Sequence, residues 1–153
     1  METVVSCRDL ANFIRNVAKE VIRGNVRELE DLSTVLLSIA LISRDTKYHV
    51  MGLVVDDVAY WLSRVKSVIP LVYSALSKEE SEYVIKTYTS SLKEVATCLE
   101  AIASMIENIG VHRSYPEVSA KLLELLGKLC RVAYSLSTLT REISPVIIEQ
   151  QEE

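Results

Sequence analysis

The chain has 153 residues, of which 25% are charged, and a formal net charge of -4. This length suits a single domain, 1–153, that can bury a hydrophobic core without disulfides or a structural metal. The acidic balance and the scattered basic residues argue against direct binding to nucleic acid, and the longest apolar stretch, Val35 to Ile42, is far shorter than the roughly 20 residues of a membrane span. Because the first residues also lack a signal-peptide pattern, we expect a cytoplasmic protein with no membrane partner.

The three cysteines are odd in number, widely separated and outside any CxxC motif. This pattern argues against both a zinc site and a disulfide framework. Free cysteines are often interior, so we expect Cys7, Cys98 and Cys130 to be small buried apolar residues.

The first two helices are marked by polar residues that favour helix starts. Ser6 is a suitable cap for a helix over 6–23. Asn25 followed by Glu28 gives a second start signal, and apolar residues at helical spacing continue from there. The sequence therefore predicts a short N-terminal helix and a second helix over 26–42.

The pattern is ambiguous at residues 43–45. Either one helix continues to about Lys66, or a short connection lets Ser43 or Asp45 cap a new helix over 44–66. We favour the break, because a helix of about 40 residues would extend about 60 Å, too long for a compact domain of this size.

The next helix begins at a capping box, in which Ser77 is followed by Glu80, and is predicted over 77–109. Apolar or small residues recur along it at alternating spacings of four and three. This regular seam is typical of helices that pack against neighbours at a crossing angle of about 20°.

The last predicted helix, 116–143, has the same seam and carries Pro116 in its first turn, where proline is tolerated. We expect Pro145 to end it and the polar tail, 146–153, to be frayed and solvated.

Two segments and the order of the helices resemble a known family. Residues 39–49 lead to His49, which is the only histidine in a predicted helix, and residues 116–126 open the last helix. Together with the pairing of four helices around the connection at 67–76, these segments resemble the ferritin-like superfamily. The resemblance implies an all-α fold, an antiparallel four-helix bundle, here with an extra short N-terminal helix.

In that family the second and fourth helices each carry a Glu-x-x-His motif, the first and third each supply a glutamate, and the set holds two iron or manganese ions. This chain departs from the pattern. Thr46 stands where the second-helix glutamate is expected, and Arg131 and Tyr134 stand where the fourth-helix motif falls. A guanidinium would repel the ions, so we expect no di-metal centre and no cofactor.

A reduced metal site is an alternative. Asp45, His49 and Asp56 follow one stripe of a helix, provided that the helix includes Asp45. With Glu94 from the third bundle helix, they are candidate ligands for a single zinc or manganese ion. The competing interpretation is that Asp45 only caps its helix and that His49 is a partly exposed surface residue.

Two segments, Val35 to Ile42 and Val50 to Leu62, are apolar on more than one face. A helix that is apolar on all sides must be buried on all sides, either by the N-terminal helix or by a second subunit. We therefore predict a non-enzymatic helical-bundle protein that acts through protein–protein interaction or self-association, with a symmetric dimer as one possibility. The alternative is a metal-binding ferritin-like protein, either a divergent di-metal oxidase or iron-handling protein or a binder of a single divalent ion.

Overall fold

The computed structural model describes residues 6–108 and 115–152, and these residues are almost entirely helical. The predicted all-α class is confirmed for this part of the chain. The helices are α1 Cys7–Ile22, α2 Arg27–Ser43, α3 Thr46–Ala75, α4 Lys78–Glu107 and α5 Tyr115–Glu152.

Three helices begin at side chains that accept hydrogen bonds from the first turn. The Ser6 hydroxyl accepts from the Asp9 amide at 3.1 Å at the start of α1, and the Asp45 carboxylate accepts from the Lys47 amide at 3.0 Å at the start of α3. At α4, Ser77 and Glu80 form the reciprocal capping box. Each cap satisfies an amide that has no partner within its own helix.

Residues 26–66 do not form one continuous helix. Arg44 has φ 57° and ψ 29°, which is the left-handed conformation that ends many helices, and its amide donates to the Ala40 carbonyl at 2.8 Å. Asp45 then starts α3. The structure therefore has the break that we favoured over a single long helix.

Two helices run through prolines that were expected to lie beyond them. α3 continues past 66 through Pro70, and α5 continues past 143 through Pro145. The predicted helix ends at 66 and 143 are therefore wrong. The predicted frayed tail at 146–153 is also wrong for residues 146–152, because these residues are helical. Both prolines are exposed on their helices, whereas Val72 and Ile147, just beyond them, are 0% and 4% exposed. Burial of these apolar side chains stabilises the helix enough to offset the hydrogen bond that proline cannot make.

α2 and α3 pack antiparallel. The Ser33 hydroxyl of α2 donates to the Gly52 carbonyl of α3 at 2.9 Å, and the Lys66 ammonium donates to the Gly24 carbonyl, just before α2, at 2.7 Å. As the residue number falls along one helix, it rises along the other. The two-residue connection between α2 and α3 fits this arrangement.

The N-terminal helix is part of the core. α1 packs mainly against α4, and an ion pair joins Arg15 to Glu107. Within the described residues, α2 contacts only α1 and α3, so α1 separates α2 from α4. One hydrophobic cluster includes residues from all five helices. None of the described helices is long and apolar enough to cross a membrane.

Candidate functional site

Four large apolar side chains are exposed where the end of α2, the first turns of α3 and the first half of α5 meet. Leu41 on α2 is 81% exposed, Val50 and Leu53 on α3 are 38% and 50% exposed, and Leu123 on α5 is 67% exposed. We call these four residues the corner surface.

Thr46 lies in both of the grooves that contain the exposed apolar residues Leu41, Val50 and Leu123, and Leu53 follows Val50 by about one turn on the same helix. On one side a groove of about 290 Å³ contains Leu41, Thr46 and His49. On the other side a groove of about 220 Å³ contains Thr46, Val50 and Leu123. Three helices thus contribute apolar side chains to one stretch of the molecular surface.

The two faces of α3 explain why Val50 and Leu53 reach solvent. The side of α3 that faces the core is fully buried, at Met51, Val55 and Leu62 among others. Val50 and Leu53 lie on the opposite side, as expected for a helix of 3.6 residues per turn. Within the described residues, α1 and the other helices therefore leave Val50 and Leu53 of α3 exposed, although the sequence predicts that a second apolar face of this helix is covered.

Polar residues with ionisable side chains lie at both ends of the exposed stripe of α3. Arg44 and His49 are exposed towards its beginning, and Asp56 and Asp57 are exposed one to two turns after Val50. The side chains of Asp45 and Lys47, by contrast, already form an ion pair of 3.1 Å with each other. The stripe therefore runs from basic through apolar to acidic along the chain direction.

The candidate metal ligands are divided among separate places. Asp45 and His49 line the same groove, but one carboxylate oxygen of Asp45 caps α3 and the other pairs with Lys47. Asp56 is exposed further along α3, and Glu94 lines a different cleft. No group of three histidine, cysteine or acidic residues that could hold a metal ion occurs in the part of the chain that the structure describes. The metal site stays a prediction.

A polar cleft of about 490 Å³ lies between α4 and α5 and contains Glu94 together with Arg131 and Lys86. Arg131 and Tyr134 are both exposed, Tyr134 at 72%. The charged groups of this cleft face solvent, so the cleft lacks the water-excluded environment that strengthens electrostatic catalysis.

The cysteines do not all follow the expectation of burial. Cys7 and Cys130 are exposed, and only Cys98 is buried. Burial raises the pKa of the Cys98 thiol, and the nearby Glu94 carboxylate raises it further. A raised pKa keeps this thiol protonated and unreactive.

Sequence reasoning missed the contribution of Leu123 to the corner surface. Leu123 lies one position off the regular seam of α5, because Leu122 and Leu125 are the residues that point into the core. An apolar residue next to a seam but outside it is the only signal that the sequence carried for this position.

No protein-family model, no curated protein and no solved structure matches this chain.

Proposed function

We propose that this chain is a non-enzymatic helical protein that acts by binding protein through the corner surface. The observation that carries the proposal is that exposed apolar residues of three helices, Leu41, Val50 and Leu123, line two grooves that meet at Thr46, with Leu53 about one turn after Val50 on α3. Single exposed apolar side chains are normal on protein surfaces, whereas contiguous ones mark interaction sites.

The surroundings of the corner surface support this proposal. Its apolar centre is flanked by charged and polar side chains, including Arg44 and Asp57. An apolar centre with a polar rim is the usual composition of a protein–protein interface. The surface also lies on helices, which hold it in a fixed shape and lower the entropic cost of binding.

Photo-cross-linking in the native host tests the proposal. A photoreactive amino acid at position 53 is expected to give a discrete protein adduct. The matched control is position 22, where Ile22 is 56% exposed at the end of α1, close to the 50% of Leu53 but outside the corner surface. Failure to form an adduct at position 53, or the same adducts at both positions, would contradict the proposal.

The ferritin-like four-helix arrangement and the metal-binding alternative stay predictions. The groove that Asp45 and His49 share is the feature that motivates a test for metal. Metal analysis of protein purified without chelator, compared with a His49→Ala variant, separates the two functions. Stoichiometric zinc, manganese or iron that is lost in the variant would favour metal binding over the proposed interaction.

A further inference from the structure

We infer that the protein bound at the corner surface is a second copy of this chain, with the two α3 helices antiparallel across a two-fold axis between Val50 and Leu53. The inference rests on the proposed function and names its partner. It follows from how charge is distributed along the exposed stripe of α3.

A symmetric dimer brings the same surface of both copies together, so that surface must complement itself. Arg44 and His49 lie before Val50 and Leu53 in the chain, and Asp56 and Asp57 lie after them. The point midway between the basic and acidic pairs is also the point midway between Val50 and Leu53. An antiparallel arrangement around this point brings the Arg44 guanidinium of each copy, with the polar side chain of His49 beside it, towards the carboxylates of Asp56 and Asp57 of the other.

The same arrangement covers the apolar residues. Val50 of each copy lies against the partner's Leu53, and Leu123 widens this apolar contact from α5. Further out, the partner's Tyr60 comes level with the turn between α2 and α3, next to Ile42. Tyr60 is 48% exposed and Ile42 is 86% exposed in the single chain, so both lose contact with water.

A parallel arrangement of the two α3 helices does not fit the charges. It would place Arg44 opposite Arg44 and Asp57 opposite Asp57, and like charges in contact oppose association. The charge distribution therefore selects the antiparallel arrangement from the two symmetric ways of pairing this helix.

Sedimentation of the full chain and three charge variants tests the inference. The first variant carries Arg44→Asp and His49→Asp, the second carries Asp56→Lys and Asp57→Lys, and the third carries all four changes. The wild-type chain is expected to sediment as a dimer at micromolar concentration. The first two variants are expected to have dissociation constants at least about tenfold higher, since each change creates repulsion twice in the dimer.

The third variant is the decisive one. It exchanges the positions of the basic and acidic pairs, so the antiparallel dimer regains opposite charges and recovers most of the lost affinity. Lys86→Asp, which changes an exposed charge in the cleft between α4 and α5, is the matched control and should leave the dissociation constant unchanged.

The substitutions suit their local backbone. Aspartate tolerates the left-handed conformation of Arg44, an acidic residue in place of His49 is favourable near the start of a helix, and lysine is a good helix former at 56 and 57. Circular dichroism is therefore expected to show the same helix content for every variant.

A wild-type chain that is monomeric at micromolar concentration, or a third variant as weak as the first two, would overturn the inference. A monomeric wild type together with an adduct at position 53 to a different protein would contradict the inference that the partner is a second copy, but it would support the proposed function. A monomeric wild type with no adduct at position 53 would remove both.

Discussion

Two glycine-to-alanine substitutions are expected to change the stability of the chain in opposite directions. Gly52 lies in α3 where α2 approaches it most closely, and a Cβ atom there would come within 2.7 Å of the Leu37 side chain and 3.3 Å of the Leu37 amide nitrogen. Gly127 lies inside α5, and a Cβ atom there would meet nothing within 4 Å. The two positions therefore share the helical conformation and differ in packing.

The expected magnitudes follow from this difference. Alanine in place of glycine inside a helix stabilises a protein by about 0.5–1 kcal/mol, because the unfolded chain loses conformational freedom. Gly127→Ala should gain this amount. Gly52→Ala raises the free energy of unfolding by the same amount through helix propensity, but overpacking lowers it by about 1–3 kcal/mol. This cost arises because the Leu37 backbone cannot move away without separating α2 from α3. That separation would also lengthen the buried hydrogen bond of 2.9 Å from Ser33 to the Gly52 carbonyl.

Urea denaturation followed by circular dichroism measures both effects at equal protein concentration. The free energies of unfolding of the two variants should differ by about 1–3 kcal/mol, and this difference isolates the packing cost because the propensity gain cancels. Equal stability of the two variants would refute the close approach of α2 and α3 at Gly52.

Three further predictions concern the core, the buried thiol and a helix cap. Leu62→Ala, at a fully buried position, should cost about 2–5 kcal/mol of unfolding free energy by denaturation, whereas Ile22→Ala, at 56% exposure and outside the corner surface, should change it by less than about 0.5 kcal/mol. Alkylation of the folded protein, read by mass spectrometry, should modify two thiols and spare Cys98 until urea is added. Burial raises the pKa of Cys98 above its ordinary 9.0, so the stability that the protonated thiol contributes should be full below pH 9.0 and fall as the pH rises further. Thermal melting measured across this pH range should show a smaller loss of stability for Cys98→Ala than for the wild type. Ser77→Ala should lower the unfolding free energy by about 1 kcal/mol through loss of the capping box, and an unchanged value would contradict the hydrogen bonds assigned to it.

The sequence predicted the helices well where their starts have a local cause. The cap at Ser6 and the capping box at Ser77 are each decided by residues within one turn, and the structure has both. Helix ends were predicted less well. Whether Pro70 ends a helix depends on the burial of Val72 against other parts of the chain, and this packing cannot be seen in a local sequence pattern.

The candidate site was only partly predictable for a similar reason. The excess of apolar residues in α3 indicated a second covered face, but the sequence did not say which residues reach solvent. Leu53 was not distinguishable from Val55 by composition, and only the orientation of α3 against its neighbours exposes the first and buries the second. The division of Asp45 and Glu94 between two separate grooves is likewise a result of tertiary packing.

The packing of α1 against α4 has a consequence for the order in which the protein is made. α1 leaves the ribosome before α4, which begins at Lys78, more than 50 residues after Ile22. At translation rates of about 5–20 residues per second, several seconds pass between the synthesis of α1 and the synthesis of α4, which buries the apolar side chains of α1. During that interval α2 and α3 can already form their hairpin, whereas α1 has not yet met the helix against which it mainly packs.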